Sequence, residues 1–220
     1  MKIALVGGTG DIGTGFAVRW GQKHDIIIGS RNVGKARESA AAVLQLLGTA
    51  ADVQGMDNDS AVAAADVVVL CVPYEHLAFV TADLKDSYKS QLVISPVVPM
   101  IYNGKFFLYN SPPEGSAALQ ARSLLPESVR LVSAFHTICA AALQDIDKIM
   151  KGDAFICGDD AEALDIVMEL AGEIKSLRPL NAGPLAASPM VESLTPFLLN
   201  VARKNKIKDA GIAIVSERIS

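Results

Sequence analysis

The residues with the clearest chemical meaning form a glycine-rich turn near the start of the chain. Gly8-Thr9-Gly10-Asp11-Ile12-Gly13 follows a short apolar run at residues 2–6 and fits the pattern G-x-G-x-x-G. In this pattern one glycine makes a tight turn, one lets the backbone approach a pyrophosphate, and one lets a helix pack closely on a strand. The helix that opens at the turn presents free N–H groups to phosphate. We therefore expect these six residues to bind a dinucleotide.

The same stretch also fits G-x-x-G-x-x-G through Gly7, Gly10 and Gly13, a spacing that suggests a short-chain-type dehydrogenase. Such an enzyme would need Tyr-x-x-x-Lys. The residues four places after Tyr74, Tyr88, Tyr102 and Tyr109 are Ala78, Leu92, Phe106 and Pro113. The required lysine is missing at each of them, which counts against this class.

The end of the second apolar run, Asp25-Ile-Ile-Ile-Gly29, indicates which dinucleotide binds. Enzymes that use NAD place a carboxylate about 20 residues beyond the glycines, where it bonds the ribose 2′-hydroxyl. Here the chain has Ser30 and Arg31, followed by Lys35. A hydroxyl, a guanidinium and an ammonium can all bond a 2′-phosphate, so the sequence favours NADP.

Later apolar runs also end at residues that could contact a ligand, because open parallel sheets bind ligands beyond the carboxyl ends of their strands. Residues 67–72 lead into Pro73-Tyr74-Glu75-His76, interpreted as a strand-end loop in which Pro73, Tyr74 and His76 face the cofactor. Residues 130–135 deliver His136, which we expect to contact the substrate.

Alternation of these runs with helical patterns predicts an α/β fold: a Rossmann-type, doubly wound, mainly parallel sheet with a small C-terminal α/β domain. The expected division is an NADP-binding domain at residues 1–135 and a small domain at 136–220, which could also pack as one unit. The helical patterns cover residues 14–22, 36–47, 57–64, 116–125, 161–174 and 188–204.

Composition excludes several classes of protein. The 220 residues are 50% hydrophobic, but their apolar runs are too short to span a bilayer, and the first apolar run is interpreted as a strand rather than a signal peptide. We therefore expect a cytoplasmic protein that does not bind a membrane. A net charge of −4 with only one basic cluster argues against nucleic acid as a partner.

The sequence suggests neither a disulfide nor a metal site, because its cysteines and histidines are scattered. The three cysteines lack C-x-x-C spacing, and the three histidines lie far apart. An apolar stripe in the last helical pattern must be buried either in the monomer core or in a partner subunit, and we expect a homodimer. The stripe consists of Leu194, Phe197, Leu198 and Val201.

Taken together, several motifs resemble the NADPH-dependent oxidoreductases of coenzyme F420, a 5-deazaflavin, and the resemblance covers nearly the whole chain. Besides residues 7–13 and Gly29-Ser-Arg31, these motifs are Ser95-Pro-Val-Val-Pro99, His136-Thr-Ile-Cys-Ala-Ala141 and Val191-Glu-Ser-Leu-Thr-Pro196. One departure is Cys139, where the family usually has proline.

The resemblance implies NADP on the glycine turn and on Thr9, Ser30, Arg31 and Lys35, with the deazaflavin beside Val98, His136 and Ile138. Val98 and Ala141 are also expected at the cofactor. The implied reaction is reversible hydride transfer between NADP(H) and F420, with small-molecule redox coenzymes as the partners and no metal. It needs no acid or base, so His136 is expected to position the ring.

Two other functions stay open at this point. A non-catalytic NADP(H)-sensing regulator would explain residues 8–35 but not the loop at His136. An NADPH-dependent flavin or ferric-chelate reductase would explain both, because a flavin and a deazaflavin have nearly the same ring shape.

Overall fold

The computed structural model describes residues 1–48 and 50–216. Within them, the chain forms one large sheet, a small hairpin and helices on both faces of the sheet. The strands are β1 (Lys2–Val6), β2 (Asp25–Gly29), β3 (Val53–Met56), β4 (Val67–Leu70), β5 (Leu92–Ser95), β6 (Met100–Tyr102), β7 (Phe107–Tyr109), β8 (Arg130–Ser133), β9 (Gly152–Gly158) and β10 (Leu177–Gly183). The α-helices are α1 (Asp11–Trp20), α2 (Val33–Leu47), α3 (Asn58–Ala64), α4 (Tyr74–Asp83), α5 (Ala117–Leu124), α6 (Ala140–Gln144), α7 (Ala161–Gly172) and α8 (Ser188–Asn205).

The large sheet has eight strands in the order β10-β9-β8-β5-β4-β1-β2-β3. Its neighbouring strands pair in parallel except β8 and β9, which are antiparallel. From β1 the chain first builds outward through β2 and β3, and then returns to build outward through β4 and β5. This reversal beside β1 is the doubly wound arrangement that the sequence predicts, and the fold class is confirmed.

Alternate residues of β1 fill the two sides of the sheet. Ile3 and Leu5 pack against α1, α2 and α7, whereas Ala4 and Val6 pack against α3, α4 and α5. All four residues are fully buried. A strand that is apolar on both faces is characteristic of a parallel sheet covered by helices on both sides.

Helix starts follow side-chain caps that the sequence supplies. The side chains of Asn32, Asp57, Ser116 and Asp160 each accept a hydrogen bond from the backbone N–H three residues later. Such caps satisfy amides that have no partner within the helix. The second helix therefore begins at Val33, three residues before the predicted start. The first helix begins at Asp11 rather than Thr14, although no side chain of the described residues caps it.

The interpretation of residues 73–76 as a loop is wrong beyond Pro73. Helix α4 begins at Tyr74, with Pro73 as its N-cap residue. Proline suits the start of a helix, because the first amides of a helix lack partners in any case. Strand β3, helix α6 and the hairpin of β6 and β7 were not predicted either.

Strands β9 and β10 continue the same sheet beyond β8. The predicted boundary between the two domains, after residue 135, falls just beyond β8, and residues 217–220 of the second domain lie outside the described residues. The division into two domains stays a prediction. Among the described residues, none of the helices has the length and apolar character that crossing a membrane requires.

Candidate active site

The candidate site lies at the carboxyl edge of the sheet, where β1, β4, β5 and β8 end side by side. The chain reverses its direction of winding between β1 and β4, and such a switch point leaves a crevice for a ligand. Three segments leave the sheet there: the glycine turn after β1, the loop of residues 96–99 after β5, and the loop of residues 134–139 after β8.

The glycine turn has the tight geometry that its sequence predicts. The N–H of Gly8 donates to the carbonyl oxygens of Leu5 and Gly29, each at 3.0 Å. Gly7 has φ +68°, a conformation that residues with a side chain rarely adopt. A Cβ on Gly13 would lie only 2.4 Å from the Cα of Gly8, so the helix can pack on the turn only because this position is glycine.

Space for a ligand exists at the start of α1. A Cβ placed on Gly10 would meet no described atom within 4 Å. Gly10 is also the N-cap residue of α1, and no side chain of the described chain caps this helix. The partial positive charge of the helix start is therefore open to an anion.

Three polar residues follow the end of β2, which the Gly8–Gly29 hydrogen bond joins to the turn. Ser30 is buried, and its hydroxyl accepts from the N–H of Asn32 at 3.2 Å. Arg31 and Lys35 are exposed, and neither forms an ion pair with another described residue. Both cations are thus available to an anionic ligand.

On the other side of β1, a cleft of about 290 Å³ opens between the three segments. The cleft brings together six of the residues that the sequence proposes for cofactor or substrate: Ile12, Pro73, Tyr74, Val98, His136 and Ile138. Its other walls include Val72, Phe135 and Thr195. The lining is mostly apolar with few polar groups, as in pockets that hold flat organic rings.

His136 is the buried polar group of this cleft, with only 6% of its surface exposed. Its Nε2 lies 3.2 Å from the Ser133 hydroxyl, whereas its Nδ1 has no hydrogen-bond partner among the described residues. Burial lowers the pKa of His136 to about 4, and the nearby backbone of Ser95 opposes this shift only in part. The imidazole is therefore neutral at pH 7.

Two residues that sequence reasoning did not single out hold His136 in place. Phe135, immediately before it, is buried with φ +72°, a strained conformation that turns the chain at the end of β8. The Thr195 hydroxyl, from α8, donates to the His136 carbonyl oxygen at 2.8 Å. Thr195 stands in a motif that supports the family resemblance, but only the fold brings α8 back to this loop.

The other proposed residues lie around the cleft rather than in it. His76, in the first turn of α4, and Ala141, in α6, are exposed and do not line the cleft in the described chain. Their contacts with a cofactor stay predictions. Cys139 is the N-cap residue of α6, and its thiol donates to the Asp209 carboxylate at 3.4 Å. Within residues 1–48 and 50–216, His, Cys, Asp and Glu form no group of three or more that could hold a metal ion.

Known proteins similar to this chain share one family. Residues 2–99 match the family model described as NADP oxidoreductase, coenzyme F420-dependent. The chain is 39% identical to the F420-dependent NADP reductase of Methanocaldococcus jannaschii, with 100% of both chains covered. The chain belongs to the F420-dependent NADP reductase family.

A second member of the F420-dependent NADP reductase family, from Methanothermobacter thermautotrophicus, is 36% identical over 98% of this chain and 95% of its own. A solved structure from Arthrobacter sp. FB24, assigned as an F420-dependent NADP-reductase, superposes with a TM-score of 0.82 at 21% identity, covering 98% of this chain and 100% of that one. At this identity the superposition supports the fold alone. The match to the family model includes the glycine turn, Arg31 and Val98, and the full-length relatives extend the similarity past His136.

Proposed function

We propose that this chain catalyses reversible hydride transfer between NADP(H) and the deazaflavin coenzyme F420. The main support for the proposal is the cleft at the carboxyl edge, which has a volume of about 290 Å³. Ile12 of the glycine motif lines this cleft together with Val98, His136 and Ile138. A dinucleotide whose pyrophosphate rests on the start of α1 would place its nicotinamide ring in this cleft. A second flat ring could stack on the nicotinamide there.

The fit to NADP(H) rests on two features of the described residues. The uncapped start of α1 and the open space at Gly10 suit a pyrophosphate. After β2, the Ser30 hydroxyl and the cations of Arg31 and Lys35, which pair with no carboxylate among the described residues, suit a 2′-phosphate. These contacts support NADP(H) over NAD(H) as the nucleotide.

The chemistry asks the protein for alignment rather than for proton transfer. Hydride passes directly between the two rings, so the protein must hold them face to face and exclude water. A buried, neutral imidazole suits this role, because it can offer a hydrogen bond to a ring without carrying a charge. Its Nδ1 has no hydrogen-bond partner among the described residues, and because this atom is buried, the His136 loop must shift for Nδ1 to reach the ring.

A two-acceptor assay tests the proposal. Purified protein is mixed with NADPH and oxidised F420, and in parallel with NADPH and a flavin, while the loss of nicotinamide absorbance is followed. We expect rapid oxidation with F420 and slow oxidation with the flavin. NADPH binding without hydride transfer to F420 at any pH would contradict the proposal and favour a sensor of the nucleotide, and preference for the flavin would favour a flavin reductase.

Substitution of His136 tests its role in the same assay. His136→Ala should lower kcat/KM for F420 by about tenfold, the effect of losing one hydrogen bond to a ring that gains charge, and leave the Kd of NADPH nearly unchanged. The control is His24→Ala, because His24 bonds Glu173 through Nε2 at 2.9 Å, outside the cleft. This control should lower thermal stability without changing the kinetics of the acceptor. If both variants behave alike, His136 has only a structural role.

A further inference from the structure

Glu192 in α8 is a fully buried carboxylate that the reaction itself does not require. Its side chain has no exposed surface, and burial raises its pKa to about 7 in spite of hydrogen bonds from Ala118 and Ala117 that lower it. Burying a carboxyl group costs free energy unless its oxygens are well bonded. The contacts of Glu192 must therefore offset the free-energy cost of burying it.

The contacts tie α8 to two other elements. Oε2 accepts from the backbone N–H of Ala117 at 2.8 Å and lies 3.1 Å from the Tyr109 hydroxyl, while Oε1 accepts from the N–H of Ala118 at 3.0 Å. Ala117 and Ala118 are the first two residues of α5, and Tyr109 ends β7. One carboxylate thus binds the positive end of a helix and the end of the hairpin.

This bond network holds whether Glu192 is ionised or neutral. The Tyr109 hydroxyl also lies 3.0 Å from the Gly115 carbonyl oxygen. When Glu192 is ionised, the hydroxyl can donate to the carboxylate. When Glu192 carries a proton, it can donate to the Tyr109 oxygen while the hydroxyl donates to Gly115.

Thr195 connects the part of α8 that carries Glu192 to the cleft. Residues three apart lie on the same side of a helix, and Thr195 is the residue whose hydroxyl bonds the His136 carbonyl. Pro196, which follows Thr195, has no N–H to donate to the backbone carbonyl of Glu192. Helix α8 therefore lacks one of its backbone hydrogen bonds at this point. Anchoring by side chains is needed where the helix is weakened in this way.

We propose that Glu192 is a positioning residue for hydride transfer: by fixing α8 on α5 and on Tyr109, it sets the position of Thr195 and of the His136 loop. The proposal rests on the proposed function for its kinetic consequence only. Its structural consequence, a looser loop at residues 136–140, can be measured in the ligand-free protein.

The test compares three variants. Glu192→Gln keeps the shape but turns an amide NH₂ towards a backbone N–H, so one of the two carboxylate contacts with α5 is lost. Tyr109→Phe removes one donor and keeps both contacts with α5. Glu173→Gln is the control, because Glu173 is a partly buried carboxylate that pairs with His24 and Lys23 rather than with α5 and the hairpin.

Hydrogen–deuterium exchange in the ligand-free protein is the first measurement. Glu192→Gln should speed exchange at residues 136–140 by about tenfold, Tyr109→Phe should do so to a smaller extent, and Glu173→Gln should not change it. Two-substrate kinetics is the second measurement. Glu192→Gln should lower kcat/KM for F420 by about tenfold while the Kd of NADPH stays within about twofold.

Two results would overturn the proposal. One is a lower melting temperature for Glu192→Gln with unchanged exchange at residues 136–140, which would leave Glu192 a purely structural anchor. The other is an equal loss of NADPH affinity, which would mean a general distortion. If Glu192→Gln does not fold, unchanged exchange in Tyr109→Phe overturns it as well. Absence of F420 turnover in the wild type would refute the proposed function and leave the exchange result to decide on Glu192.

Discussion

Arg31, just beyond the end of β2, is the residue most directly suited to select NADPH over NADH. It is exposed and has no ion-pair partner in the described chain, so its charge is not used for stability. Exposed arginines without partners contribute little to folding. The guanidinium is therefore available to bind a phosphate. Arg31 could be predicted from the sequence because of its spacing from the glycine turn.

We expect Arg31→Ala to weaken NADPH binding and to leave NADH binding nearly unchanged. The loss of a charge-assisted bond to phosphate costs about 1.5–3 kcal/mol, or roughly tenfold to a hundredfold in Kd. Titration calorimetry with both nucleotides measures the change. Arg37→Ala is the control, because Arg37 is also exposed but lies two residues beyond Lys35, on another side of α2. Equal binding of NADH and NADPH by the wild type would contradict this interpretation of the strand end.

The buried His136 ring should make the stability of the folded protein depend on pH. Its pKa is about 4 in the folded protein against an ordinary value of 6.5, so the folded state binds fewer protons than the unfolded state between these values. The stabilising contribution of the neutral ring is therefore complete above pH 6.5 and is lost as the pH falls towards 4. The full effect is on the order of 3 kcal/mol.

Urea unfolding of the wild type and of His136→Gln between pH 4.5 and 7.5 measures this contribution. The comparison of two proteins is needed because the raised pKa of Glu192, about 7, acts in the opposite direction: its contribution to stability falls as the pH rises from 4.5 towards 7. We expect the wild type to lose stability relative to the variant as the pH falls. A difference that stays constant with pH would show that His136 is not buried as a neutral ring.

Among the elements, α6 matters because it fixes the loop that carries His136 and Ile138. This helix has only five residues, which is too short to be stable alone. Arg19, from α1, holds it by donating to four backbone carbonyls: Nε to Leu143 at 2.8 Å, Nη1 to Ile146 at 3.2 Å, and Nη2 to Ala142 and Asp145 at 2.7 and 2.5 Å. The helix that follows the glycine turn thereby also supports the opposite wall of the cleft.

Arg19→Lys should destabilise the protein by about 2 kcal/mol. An ammonium group has three donors and cannot reproduce the planar fork, so charged hydrogen bonds worth about 1.5–3 kcal/mol each are lost or weakened. The unfolding free energy in urea gives the result, and Arg37→Lys, at an exposed site, should be nearly neutral. Equal stability of the two variants would mean that α6 is held by its apolar contacts alone.

The elements that could be predicted from the sequence are those with a continuous or periodic apolar pattern. Runs such as Val67–Leu70 are buried on both faces, so their composition alone reveals a strand. Strand β3 contains a glycine and has only Val53 buried, and each strand of the hairpin has three residues without a buried one, so neither shows a periodic pattern. The glycine turn and the strand ends likewise predicted Ile12, Pro73, Tyr74 and His136 of the cleft, and the family resemblance added Val98 and Ile138. Thr195 and Glu192 belong to a helix that only the tertiary fold brings to this part of the molecule.

At the scale of the whole molecule, the apolar surface of α8 and of the hairpin is the main feature that folding leaves uncovered. None of the four residues of the predicted stripe is fully buried, and Phe197 is 60% exposed. The Asn200 side chain joins the two elements by bonding both the N–H and the carbonyl oxygen of Phe107 at 2.7 Å. The exposed hydrophobic side chains of these two elements are Met100, Ile101, Tyr102, Phe106, Leu108, Met190 and Phe197.

This surface favours the partner-subunit alternative for the stripe over burial in the monomer core. Contiguous apolar surface is rare on monomers and typical of interfaces, and a second copy of the chain would cover it by a two-fold contact. We therefore expect light scattering at micromolar concentration to give a mass of twice 23.2 kDa for the wild type.

Phe197→Glu should convert this dimer to a monomer, because it would bury two carboxylates without partners across the two-fold axis. Phe79→Glu is the matched control, since Phe79 is 64% exposed but lies on α4, apart from this surface. The control should remain a dimer. A monomeric wild type would refute the prediction outright, and a dimer that survives Phe197→Glu but not Phe79→Glu would move the contact from α8 to α4, next to the helix start that borders the cleft.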